Sequence, residues 1–264
     1  MSLWAAQELE SGQTYQASIG PLCLWVRRVE DEIQVAEQYT TELEAVTKAA
    51  HALQVFNEIL PEDLNWSRWI VGAKARPLLL VPQLPNRGCV VRTESPLKIP
   101  PGQEATFFVS LPIWVELRLE GKPPLSLTEI PTVVRSNIWF GDAMAGELCY
   151  SLLSRARRLA EDADHPPHKA VCPVRIRNQA EDLLNMERFC VHVEHLNLYR
   201  GLHLLWTNQV TITFQGEDQV SKVDYHRQVP KMEPNLSLIT PARTPLKDTL
   251  LKRSLGTFKA LTDI

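Results

Sequence analysis

Apolar and polar side chains trade places at every second position in the early part of this chain. In IGPLCLWVRRV, Leu22, Leu24 and Val26 fall on one face while Cys23, Trp25 and Arg27 fall on the other, which is the period of a strand. Residues 13–39 are therefore read as a run of strands. TELEAVTKAAHALQVFNEIL (41–60) breaks the habit: Leu43, Val46, Ala50, Leu53, Phe56 and Leu60 recur at helical spacing, and Pro61 supplies a stop, which predicts a helix. RPLLLVPQLPNRGCVVR (76–92) reads as two short strands around a proline-rich turn. KIPPGQEATFFVSLPIWVELRLEG (98–121) gives the clearest alternation, with Pro112 interrupting a strand that Trp114 resumes.

Beyond a proline-rich stretch at 121–132 the pattern stays β. AVCPVRIRN (170–178), ERFCVHVEHLNLY (187–199) and LLWTNQVTITFQG (204–216) are strand-like and separated by polar turns, the spacing of a sandwich. At the end of the chain, Leu246, Leu250, Leu255, Phe258 and Leu261 make an apolar stripe at helical spacing, which predicts a docking helix over 246–264. The expected fold is mainly β, with two β-sandwich-like units (1–128 and 129–264) and a few short helices, including the C-terminal one.

Composition changes this picture little and excludes several functions. The chain has 264 residues, 44% apolar and 22% charged, with a net charge of −3, so no general electrostatic attraction to nucleic acid is expected. Its 19 prolines outnumber its 11 glycines, which suits strands joined by proline-punctuated turns. The longest uncharged stretch, 201–216, is too short for a membrane-spanning helix, which needs about 20 apolar residues. The N-terminal MSLWAAQELESGQ carries no basic region followed by an apolar run. The expectation is a cytoplasmic protein, at most peripheral at the inner face of the membrane. Its five cysteines, Cys23, Cys89, Cys149, Cys172 and Cys190, form no CxxC and are expected to be reduced.

Candidate chemistry is sparse. In SNIWFGDAMAGELCYSL, Asp142 and Glu147 are two carboxylates that a loop could set across a sugar, and Cys149 is a potential nucleophile. The Gly-Asp pair reads better as a turn, in which Asp142 bonds its own loop, Trp139 enters the core and Cys149 is buried by one face of a strand. HPPHKAVC offers His165, His168 and Cys172 as ligand types without a fourth at a recognisable spacing. His192 and His195, three apart in a strand, are expected on opposite faces. Arg155 and Arg157 share one strand face and Arg175 and Arg177 another; either stripe could grip an anion, although a solvated face paired with acidic neighbours is the plainer reading. GxxxxGK[ST], GxGxxG, GxSxG and HExxH are absent from the sequence.

The strings EIPTVVRSNIWFGDAMAGELCYSL, VCPVRIRNQAEDLLNMERFCVHVEHLNLY and LLWTNQVTITFQG, with PQLPNRGCVVRTESPLKIPPGQEATFFVSLP before them, resemble domain-of-unknown-function family 432. The resemblance spans roughly residues 20–220 and is most specific at WFGD…GELCYSL and LYRGLHLLW. That family has no assigned activity, so no catalytic residue or cofactor carries over. Its prokaryotic members are often encoded beside small-conductance mechanosensitive channels, which implies a soluble partner or regulator of such a channel.

The reading that follows is a non-catalytic binding or regulatory protein with a protein partner, no cofactor and no metal. Arg155, Arg157, Arg175, Arg177, Leu250, Leu255 and Phe258 are its candidate interaction residues. The alternatives are a β module binding an anion or carbohydrate, and a hydrolase using Asp142 and Glu147 or the His165/His168 loop.

Overall fold

The computed structural model describes residues 3–41, 50–141, 143–144, 146–160, 166–202, 204–216, 221–245, 250–252 and 255–256, with backbone alone at 94–95, 153–155, 250–252 and 255–256. Among the described residues it is built of strands, and no helix there is long and apolar enough to cross a membrane. Contacts divide the chain into two units that interleave along the sequence. The first takes 1–83, 112–134 and 166–168; the second takes 84–111, 135–165 and 169–264. Where the sequence suggests one seam near residue 128, the chain passes between units several times.

In the first unit, β1 (Thr14–Ile19), β2 (Leu22–Val29) and β3 (Glu32–Tyr39) form an in-register antiparallel meander. β4 (His51–Val55) and β5 (Ser67–Ile70) complete a five-stranded sheet in the order β4-β1-β2-β3-β5. Leu22, Leu24 and Val26 point inward as their alternation demands. They share a core with Leu78, Leu80, Val115, Leu117 and Leu119 from a second sheet. That sheet comprises β6 (Leu78–Gln83), β9 (Trp114–Leu119) and β10 (Leu125–Pro131) in the order β10-β9-β6. Gly20, between β1 and β2, adopts φ +61°, and a Cβ there would lie 2.2 Å from the His168 ring, so both conformation and space require glycine.

The helix expected over 41–60 is not formed at its described end. His51–Val55 is β4, pairing antiparallel with β1, while 42–49 lie outside the described residues. The exposed edge of β1 offers a ladder of hydrogen bonds, and Leu53 buries from a strand as well as it would from a helix.

The second unit holds two larger sheets. One comprises β7 (Cys89–Ile99), β11 (Asn137–Phe140), β12 (Glu147–Arg155), β14 (Leu184–Val191) and β21 (Leu255–Gly256), in the order β11-β12-β7-β14-β21. The other runs β19-β15-β16-β13-β17-β18-β20, with β8 (Glu104–Pro112) also pairing β13 (Lys169–Asn178). Its remaining strands are β15 (Leu198–Arg200), β16 (Leu205–Thr207), β17 (Val210–Phe214), β18 (Ser221–Tyr225), β19 (Ser237–Thr240) and β20 (Leu250–Lys252). Phe107 of β8 meets Phe189 of β14 with ring centroids 6.3 Å apart, both fully buried. Several pairings are parallel, among them β12 with β7 and β13 with both β16 and β17, so neighbours in space are distant in sequence. Pro112 ends β8 and β9 starts at Trp114, the interruption expected of that proline.

At its described residues, 250–252 and 255–256, the segment expected as a C-terminal helix is likewise strand, while 246–249, 253–254 and 257–264 lie outside the described residues. Leu250 pairs with Val223 at the edge of one sheet, and Leu255 pairs with Phe189 at the edge of the other; Phe258 lies outside the described residues. Two sheet edges supply backbone partners that a lone amphipathic helix would lack, and Gly256 costs about 1 kcal/mol of helix propensity.

Candidate functional site

β11 and β12 form an antiparallel hairpin in which Trp139 stands opposite Leu148 and Ile138 opposite Cys149. Alternation then sorts the hairpin into two faces. Cys149 is fully buried and clusters with Val90, Phe140, Cys190 and Ile138. On the other face Trp139 is 50% exposed and Leu148 45% exposed, and Met144 at the tip is 94% exposed. The expectation that Trp139 enters the core is therefore corrected: Phe140, its neighbour in sequence, is the buried ring. One residue of register decides which aromatic goes inside. Asp142 lies outside the described residues.

β12 and β14 lie on either side of β7, and their inward side chains converge over its start. Glu147, Cys149 and Cys190 each bring a ligand-type atom, and these atoms all lie within 4.8 Å of one another. The two sulfurs are 3.6 Å apart, and all five cysteines of the chain are free thiols. His192, immediately after β14, is completely buried; its Nε2 lies 3.3 Å from Glu147 Oε1 and its Nδ1 3.7 Å from Glu194 Oε1. Neither ring nitrogen makes a hydrogen bond of good geometry. The space for this convergence is supplied by Gly88. A Cβ there would fall 2.7 Å from Cys190 Sγ, 3.3 Å from Cys149 Sγ and 3.2 Å from His192 Nδ1. The Gly88 carbonyl meanwhile accepts the Tyr150 amide at 2.8 Å, fixing β12 alongside.

Electrostatics around the cluster favour a neutral Cys190 thiol. The hydrogen bond with Cys149 pushes the Cys190 thiol well above its ordinary value, with burial, the Cys149 and Cys89 thiols and Glu147 adding to it. Burial, with Glu194 nearby, pushes Cys89 up as well, and burial pushes Cys172 up to about 12. Burial also acts to raise the Glu194 carboxyl. Its attraction to His192, beyond hydrogen-bond length at 3.7 Å, and to His195 outweighs that and leaves it below the usual range. His192 and His195 do not point to opposite faces as a continuous strand requires. A 3-10 turn over Val193–His195 ends the strand and brings the rings to 6.4 Å, each 3.7 Å from the Glu194 carboxylate.

The other sequence candidates are not brought together. His165 lies outside the described residues, His168 is buried in the first unit, and Cys172 is buried in the second with its sulfur 4.0 Å from the Asn208 carbonyl. Arg177 Nε donates to Glu104 Oε2 at 2.7 Å, and Arg175 Nε lies 3.8 Å from Glu104 Oε1, so this pair forms a face answered by an acidic neighbour. Arg157 bridges to Phe108 through its backbone, and the side chain of Arg155 is outside the description. A surface groove in the first unit is lined by Lys74, Arg76, Glu120 and Lys122. There the Arg76 guanidinium already donates to the carbonyls of Leu119, Glu120 and Pro123.

Sequence reasoning weighed Glu147 and Cys149 but missed Cys190 and Gly88, and weighed His192 only against His195. The available signal was ELC beside CVH: each tripeptide, read as strand, puts its outer two residues on one face. No curated protein and no solved structure matches the chain. A family profile does, over residues 3–259, nearly its whole length, and the chain belongs to that family, described as Protein of unknown function (DUF432).

Proposed function

We propose that the protein is a non-catalytic binding protein with a regulatory role, and that the outer face of the β11–β12 hairpin is where its protein partner docks. The observation that carries this reading is the exposure of Trp139 and Leu148 as a cross-strand pair, continued by Met144 at the tip. A half-exposed tryptophan paired with a half-exposed leucine keeps apolar surface in water, and such patches mark interaction sites. Tryptophan is also among the residues most often found at the energetic centre of an interface. β11 is the terminal strand of its sheet, so an extended segment of the partner can add alongside it while its apolar residues cover Trp139.

The setting implied by the family resemblance, beside a small-conductance mechanosensitive channel, makes native membranes the material to test. Affinity purification from detergent-solubilised membranes is compared for the wild-type chain, Trp139→Ser and Leu148→Ser. The expected result is a partner recovered with wild type and reduced at least about tenfold by either change, since hot-spot truncations cost about 2 kcal/mol or more. Equal recovery with all three chains, or recovery of no partner, defeats the reading.

A further inference from the structure

We propose that Glu147, Cys149, Cys190 and His192 form a binding site for a soft divalent transition metal, with Zn²⁺ the best match. The inference goes beyond the partner reading and stands or falls without it, although β12 carries residues of both.

The donor set is the first argument. Two thiols, an imidazole and a carboxylate suit zinc, whereas Mg²⁺ and Ca²⁺ take oxygen ligands. Spacing is the second. Two thiolates held at about 2.3 Å from a tetrahedral ion sit about 3.8 Å apart, and an imidazole nitrogen and a carboxylate oxygen at about 2.0–2.1 Å sit about 3.4 Å apart. The corresponding separations here are 3.6 Å for Cys149 and Cys190 and 3.3 Å for His192 and Glu147. These two pairs stand close to the distances an ion would impose, and the ligand atoms of Glu147, Cys149 and Cys190 lie within 4.8 Å of one another, with His192 joined to them through Glu147.

His192 supplies the third argument. A fully buried imidazole whose nitrogens meet only carboxylates, at 3.3 and 3.7 Å and neither in a hydrogen bond of good geometry, has a nitrogen to offer an ion. Its Nε2 stands 3.3 Å from Glu147 and its Nδ1 3.7 Å from Glu194, so one nitrogen can turn to an ion while the other keeps a carboxylate partner, the order that orients ligating histidines. Gly88 is the fourth. It is the residue between the two ligand-bearing strands, and any side chain there would occupy the space over which the sulfurs and the imidazole meet.

A disulfide explains the thiols less well. Cys149 and Cys190 lie on strands that flank β7, so two strand spacings put their backbones on the order of 9 Å apart, past the roughly 7 Å that a relaxed disulfide spans. An ion placed between the sulfurs needs no such approach. The Glu147 side chain is 32% exposed while the other three are buried, which gives the ion a route in from solvent.

The test uses the full chain, reduced and stripped with a chelator, then titrated with Co²⁺ as a spectroscopic stand-in for Zn²⁺. The expected result is one equivalent bound per chain. It should show the strong visible bands of a tetrahedral ion and a near-ultraviolet thiolate charge-transfer band, both abolished by added Zn²⁺. Cys190→Ser should weaken the charge-transfer band, and His192→Gln and Glu147→Gln should lower affinity at least tenfold with the chain still folded by circular dichroism. Cys23→Ser should change nothing. Wild-type folded protein that shows only weak octahedral bands or no thiolate band overturns the proposal, whatever the variants do. A spectrum unaffected by all three site changes overturns it equally.

Discussion

Each unit buries an ionisable side chain in or at the end of a strand, and the two are treated differently. In the first unit Glu116 of β9 receives Gln83 Nε2 at 2.8 Å from β6 and Arg118 Nε at 3.0 Å from its own strand. Burial acts to raise its carboxyl, but the bonds from Arg118, Ser126 and Gln83 prevail and hold it below the usual range. In the second unit His192 is buried more deeply, and its ring nitrogens lack such bonds. Buried polar groups in a settled fold are satisfied. Glu116 thus belongs to the architecture of its unit, while His192, flanked by the carboxylates of Glu147 and Glu194 and near two thiols, is the group the proposed ion would satisfy.

Substitutions can break or sharpen this contrast. The largest effect is expected from Phe189→Ala, which opens a cavity under the strand that carries Cys190 and should cost about 3–5 kcal/mol in urea denaturation. A loss under about 1 kcal/mol would mean that the contact with Phe107 is not the core of that unit.

Gly88→Ala comes next. Its Cβ would strike the Cys190 sulfur, so a stability loss of about 1–3 kcal/mol is expected from overpacking. Gly12→Ala in the first unit meets nothing within 4 Å, and its φ of +83° should cost about 1 kcal/mol. Only the Gly88 change should also impair Co²⁺ binding; equal effects of both on the metal would dissolve the distinction between the units.

Arg118→Ala should cost about 1–2 kcal/mol at neutral pH, because it removes a charged partner from the buried Glu116. The pH dependence has a defined sign. Glu116 sits below its ordinary value of 4.5 in the fold, so the unfolded chain takes up the proton first as pH falls. Its stabilisation is complete above that value and is lost as pH drops through the folded one. Glu116→Gln should flatten this acid limb, measured as denaturation midpoint against pH; an unchanged limb would assign it to other carboxylates.

The smallest stability change is expected from Trp139→Ser, about 0.5 kcal/mol or less, because the side chain is half exposed. Its effect belongs to partner recovery. A thermal denaturation shift as large as that of a core substitution would return Trp139 to the interior.

The contrast between the units also explains what was legible in the chain. In the β1–β2–β3 meander of the first unit, strands adjacent in sequence pair with one another, so period-two alternation through Leu22, Leu24 and Val26 was enough to read both the strands and the buried face. The helices expected at 41–60 and 246–264 were misread for one reason. Apolar residues three or four apart also occur in short strands, and whether an edge awaits them is not written locally. Trp139 and Phe140 show the same limit at the scale of a single residue, since both suit a core and only the pairing register chose Phe140.

The sequence by itself determined the β character of the chain, the break at Pro112, the burial of Cys149 and the membership in its family. It also wrote Glu147-Leu-Cys149 and Cys190-Val-His192 as two same-face pairs. Tertiary structure alone decided that these pairs meet. β12 runs parallel to one edge of β7 and β14 antiparallel to the other, and those pairings join residues some sixty to one hundred positions apart. Local periodicity fixes which way a side chain points; it carries no information about which distant strand lies beside it. The site at Gly88 exists because of that second choice.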